Sequence, residues 1–170
     1  VTGSSLHLVP GEKISAREAL FAMMLRSAND VCHAVAVHIA GSDQEFAVLM
    51  NERASSLGCR DSHFVTPHGL HDPDHKTSAH DLALIAREAM RHPDFRLASA
   101  TRRHLIDRDT NRQDLLLISK NPLLRRPSYG DGIKTGYTNE AGRCLVGTAV
   151  RDGMRLISVV LRSPDMGAES

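Results

Sequence analysis

The sequence predicts an α+β fold, with helices in its first hundred residues and strands toward its end. Apolar residues recur at helical spacing from about residue 15 to residue 91. Two strand-like runs, 143–150 and 154–161, are joined by Arg151-Asp152-Gly153, whose Asp-Gly step favours a hairpin. At 170 residues and 41% hydrophobic content, the chain is long and apolar enough for one domain with a real core. Residues of about 12–100 form a helical lobe in this reading, and about 101–165 a sheet portion. Only 4% of residues are aromatic and none is tryptophan, so packing rests on Leu, Val, Ala, Ile and Met.

The first helix is expected over 15–25, with Ser15 as N-cap and Glu18 as its capping-box partner. A second, largely buried helix follows over 30–40 and stops at Gly41; a third covers 43–57 and stops at Gly58. Phe46, Leu49, Met50, Ala54 and Leu57 fall at helical spacing in that third helix and read as core. A fourth helix spans 79–91, His92-Pro93 ends it, and a short one runs from Pro93 to Ala100. Short strands are expected at 104–106 and 115–117, around a polar turn.

Two motifs carry the chemistry. Lys134-Thr135-Gly136 lies within Gly130–Gly142, one of only four lysines in an arginine-rich chain, set among glycines before an apolar run. A strand edge bearing Gly132 and Gly136 lets another backbone approach and pair as an added strand. Lys134 then offers positive charge, and Thr135 a hydroxyl, to a carboxylate or a carbonyl under attack. The plainer alternative is a glycine-rich turn with a solvated lysine. Ser27-Ala28-Asn29 falls at the junction of the first two helices, where side chains can point into a cleft. Its plainer alternative is a helix cap.

In combination the motifs resemble the Ser-x-Asn and Lys-Thr-Gly signatures of the penicillin-recognising serine hydrolases. Gly3-Ser4-Ser5-Leu6, Pro10-Gly11, Ser27 to Asp30, Phe46 to Asn51, Leu57-Gly58, His63-Phe64, Pro67 to Leu70, Ser78 to Leu82 and Asp131 to Gly142 keep the order seen in D-alanyl-D-alanine carboxypeptidases, the low-molecular-mass penicillin-binding proteins. The resemblance runs from about Gly3 to Leu161. It implies a β-lactamase/DD-peptidase-like α+β fold, a helical lobe beside part of an antiparallel sheet. It also implies an acyl-enzyme reaction that trims the terminal D-alanine from peptidoglycan stem peptides, with β-lactams as inhibitors and no cofactor. Ser27 would pass a proton between the lysine of the nucleophile motif and the leaving amine, and Asn29 would orient the substrate amide. Lys134 and Thr135 would hold the terminal carboxylate while Gly136, Tyr137 and Thr138 pair with the peptide; some members carry histidine where Tyr137 stands. His68 would line the cleft.

The family's nucleophile is the serine of a Ser-x-x-Lys motif, and this chain has none: Pro10, Pro73, Leu117 and Asp131 stand three residues before its four lysines. The expectation is an internal fragment lacking N-terminal strands, the nucleophile helix and the C-terminal helix, inactive by itself. The family's substrate-binding arginine has no identifiable counterpart. A sheet cut in this way is expected to expose an edge and an apolar face, giving either low stability or association of two copies over that face. Alternatives are a non-catalytic peptidoglycan-peptide binding module of the same fold, or a β-lactamase relative. The latter fits less well, because Ser-Asp-Asn and a deacylating glutamate motif are both missing.

His63, His68, His71, His75 and His80 crowd into eighteen residues, yet no His-Glu-x-x-His pattern is present and their spacing reads as a loop with Pro67, Gly69 and Pro73, so no metal is expected. A formal charge of +1, with arginine pairs that lack interleaved aromatics, argues against nucleic acid. Cys32, Cys59 and Cys144 make no disulfide framework. No leader and no run of eighteen apolar residues appears, so a place outside the cytoplasmic membrane, periplasmic or extracytoplasmic, follows from the resemblance alone.

Overall fold

The structure, a computed structural model, describes residues 2–110, 116–125 and 130–164. An amino-terminal strap leads into α1 (Ala16–Phe21), a π-helical turn (Ala22–Arg26), α2 (Asn29–Ala40) and α3 (Asp43–Ser56). A long loop then reaches α4 (Ala79–Ala89) and α5 (Pro93–Ala100). Strands β1 (Arg103–Leu105) and β2 (Leu116–Ile118) form a small antiparallel pair, and β3 (Gly130–Thr138), β4 (Gly142–Arg151) and β5 (Met154–Ser163) form the main antiparallel sheet in that order. The α+β class and the helix-then-strand order are as the sequence predicts.

Ser15 caps α1 by accepting from the Glu18 N–H at 3.1 Å. The Glu18 carboxylate does not complete a capping box as expected. It reaches 2.8 Å to His104 Nε2 of β1, whose ring stacks on Phe21 with centroids 3.9 Å apart. A charge-assisted contact to the hairpin has taken the place of a local cap. Ser42 and Ser78 cap α3 and α4 in the same way, while Gly41 ends α2 in the left-handed region its lack of Cβ permits. Asp152 and Gly153, both at positive φ, make the tight β4–β5 turn.

Two apolar cores meet at one residue. Leu6, Phe21, Leu25, Val31, Ile106 and Leu117 form the centre of the lobe. Ala86, Met90 and Ile133, with Val146 and Ile157, seal α4 and α5 onto the sheet. Met24, in the π-helical turn, packs against both. The turn that precedes Ser27 is therefore wedged between lobe and sheet.

Two further expectations are corrected. The expected core stripe of α3 is only partly inside: Ala47 and Ala54 are buried, whereas Leu49 is 43% exposed. Among the described residues α3 packs chiefly on α2, so one narrow face suffices. The segment Gly130–Thr138 is a nine-residue strand, as the strand-edge reading expects, and not the glycine-rich turn of the plainer alternative. Gly132 does not open the sheet to a ligand: a Cβ there would stand 2.9 Å from Ser99 Oγ of α5, so its missing side chain serves internal packing. The polar turn between β1 and β2 lies partly outside the described residues.

Candidate active site

Ser27 closes the π-helical turn with φ 57° and ψ 44°, a left-handed conformation uncommon for a residue with a Cβ. The Ala22–Arg26 turn and α2 are thereby set at an angle, and the hydroxyl leaves the helix axis. Lys134 reaches it from β3, its Nζ donating to Ser27 Oγ and, at 2.8 Å, to the Thr135 carbonyl oxygen. A contact across 107 positions of sequence thus links lobe and sheet. Burial, and secondarily the Lys120 ammonium, lower Lys134 to about 8. Both effects oppose the charged form. Lys120, unremarked in the sequence beyond its residue type, follows β2 and donates to Ser4 Oγ at 3.3 Å.

Neither Ser27 nor Asn29 caps α2, which settles the plainer alternative. The N-cap is Ala28, without a side-chain bond. Asn29 is 8% exposed; its Nδ2 donates to the Thr2 carbonyl at 2.8 Å, and its backbone N–H to Ser4 at the same distance. Asp30 reinforces the junction, accepting from the backbone N–H groups of Leu6 at 2.9 Å and Leu8 at 3.0 Å. Gly3, at φ 84°, lets this strap pass, since a Cβ there would stand 2.9 Å from Asn29 Nδ2. Of the predicted trio, Ser27 and Lys134 are joined, while the Asn29 amide is turned to the strap. The strap's contribution is a backbone carbonyl, which no residue-type signal can reveal.

Thr135, Gly136, Tyr137 and Thr138 continue along β3, whose outer edge has no partner strand among the described residues. Gly136 is exposed, and a Cβ built on it meets nothing within 4 Å. Its own fold does not require glycine there; only something approaching from outside would.

His68 lies two residues before Leu70, whose Cδ2 would stand 3.8 Å from a Cβ at Gly3 of the strap. Burial lowers its pKa, Asp43 and His33 act on it electrostatically, and its Nδ1 accepts from the Leu70 N–H at 3.2 Å. Among the described residues no hydrogen bond joins it to Ser27, Asn29 or Lys134. His75 is likewise structural, Nδ1 accepting from Val65 and Thr66. No group of three or more His, Cys, Asp or Glu among the described residues is placed to hold a metal ion. Cys32 is half-buried one turn into α2; burial pushes its thiol up to about 11 and the Lys134 ammonium pulls the other way.

A hydroxyl held by a lysine of lowered pKa, beside the free edge of an antiparallel sheet and against a helical lobe, defines the class of the penicillin-recognising peptidases. The chain belongs to the D-alanyl-D-alanine carboxypeptidase family Peptidase_S11, whose model matches residues 1–165. It is 35% identical over 158 residues to D-alanyl-D-alanine carboxypeptidase DacF of Bacillus subtilis, covering 93% of this chain and 40% of that protein. Identity to DacB2 of Mycobacterium tuberculosis is 36%, covering 89% of this chain and 52% of the relative. The Streptomyces K15 DD-transpeptidase structure superposes with a TM-score of 0.88 at 30% identity, covering 96% of this chain and 66% of its own. The chain therefore spans about two fifths to one half of the length of these curated relatives. No described helix is long and apolar enough to cross a membrane.

Proposed function

We propose that this chain supplies the peptide-binding groove and the proton-relay side of a serine-type D-Ala-D-Ala carboxypeptidase acting on peptidoglycan stem peptides, and that β-lactams occupy the same groove. The observation that carries the proposal is the Lys134–Ser27 contact at the head of a strand edge left open at Gly136. As acceptor of a Lys134 N–H, the Ser27 oxygen keeps its own proton free to donate to a leaving amine, and Lys134 replaces it. A lysine near pKa 8 can shed that proton close to neutral pH, where an ordinary one cannot. Lys134 and Thr135 hold the terminal carboxylate, and the β3 edge from Gly136 to Thr138 pairs with the peptide backbone. Asn29 and His68 shape the lobe side of the groove in this account. The reaction belongs outside the cytoplasmic membrane, where peptidoglycan lies.

Acylation needs a serine activated by its own base, and the sequence contains no Ser-x-x-Lys. This chain should therefore bind the peptide without cleaving it. Diacetyl-L-Lys-D-Ala-D-Ala is expected to bind measurably in calorimetry, its L-Ala-L-Ala stereoisomer not, with no D-alanine released and no penicillin adduct in intact-mass spectra. Equal binding of the stereoisomers would reject the groove; an acyl adduct would reject the relay-only role.

A further inference from the structure

Past Gly136 the edge strand carries a pair of side chains that the relay does not use. Tyr137 is 66% exposed, and the Arg143 guanidinium lies 5.8 Å from its ring centroid. The two residues are cross-strand partners in the β3–β4 ladder, so their side chains share one face of the sheet. Attraction between a cation and an aromatic face leans Arg143, which is rooted in β4, across β3 toward the free edge. The Tyr137 hydroxyl fixes the ring from its far end by donating to Asn139 Oδ1 at 3.2 Å. Glu140 stands three residues before Arg143 in the connecting turn, yet among the described residues no carboxylate pairs with this guanidinium.

We propose that Arg143, carried on Tyr137, reads the third residue from the carboxyl end of the bound peptide and favours an acidic side chain there. This inference rests on the groove described above. With the terminal D-alanine opposite Thr135 and the penultimate residue opposite Gly136, the third falls opposite Tyr137. Directly opposed residues of an antiparallel pair stand on the same face, with Cβ atoms about 4.5–5.5 Å apart. The third side chain, Tyr137 and Arg143 then form a row across three strands. A carboxylate in that row meets a planar guanidinium with paired N–H donors. A lysine in the same place meets like charge.

The test compares acetyl-L-Glu-D-Ala-D-Ala, its near-isosteric L-Gln counterpart and acetyl-L-Lys-D-Ala-D-Ala, with dissociation constants from NMR titration of the whole chain. The glutamyl peptide should bind about two- to five-fold tighter than the glutaminyl one, the range of an exposed ion pair. Added salt should shrink that preference. Arg143→Ala should abolish the preference while leaving the glutaminyl peptide unchanged, and Arg143→Glu should turn it toward the lysyl peptide. Equal binding of all three peptides, or a preference that survives Arg143→Ala, overturns the inference alone. Failure of every peptide to bind rejects the groove itself and this inference with it.

Discussion

Lys134 is the residue on which the proposed chemistry turns, and its protonation leaves a signature in stability. Burial lowers its pKa to about 8 from an unfolded value of about 10.5. Between those values the unfolded chain binds more protons, so stability rises with pH. From about pH 9 the thiol of Cys32, raised to about 11, contributes with the opposite sign, because its unfolded form ionises first. The clean window is pH 8 to 9, where Lys134 should add about 1 kcal/mol. Denaturant titrations across that window should show this rise, and Lys134→Met should flatten it. At this scale the sequence showed which residue types matter but not their partners. Ser27 and Lys134 were legible as a pair because each sits in a recognisable setting. Lys120 was not, since its effect on Lys134 arises only through folding, and Asn29 could not be seen to turn toward a backbone carbonyl at Thr2.

Edge strand β3 makes the strongest prediction among the elements. Because a Cβ at Gly136 meets open space, Gly136→Val should leave stability within about 0.5 kcal/mol of the parent while abolishing peptide binding. Calorimetry for stability and titration for binding separate the two effects. A second device holds the strap in place: Arg108 Nε and Nη2 lie 2.6 and 2.9 Å from the two carboxylate oxygens of Glu12, both side chains being 1% exposed. Arg108 also donates to the Leu6 carbonyl at 2.9 Å. Glu12→Gln should cost about 3–5 kcal/mol, as removal of one partner leaves a buried charge uncompensated. In the parent the Arg108 hydrogen bond holds the Glu12 pKa below its ordinary value, so this stability is present above about pH 4.5 and is lost as the pH falls. Helices α2, α4 and α5 and the β4–β5 hairpin were legible because caps, glycine stops and the Asp-Gly turn mark them locally. Strand β3 was harder, since glycine depletes strand propensity and its conformation is set by pairing with β4. The division of the first helix into α1 and a π-helical turn is set by packing of Met24 against two cores, which periodicity cannot show.

Across the whole molecule, lobe and sheet are held together at Met24 and the Lys134–Ser27 contact, and the proposed groove runs where they meet. The opposite end of the sheet is less finished. Among the described residues the outer edge of β5 is unpaired, and Leu156 is 63% exposed beside Val160 and Met154 on the same face. A long apolar edge of this kind templates pairing with another chain. Sedimentation velocity should show concentration-dependent association, weakened by Leu156→Asp, with the peptide affinity of the groove unaffected. The central claim, that D-Ala-D-Ala peptides lie along β3 beneath Ser27, is tested most directly by mapping chemical shifts of an isotope-labelled chain during peptide addition. Perturbations should concentrate at Thr135–Thr138, at Ser27 and at the Lys134 ammonium. Shifts confined to the His63–His80 loop or to β5, with the β3 edge silent, would contradict the account.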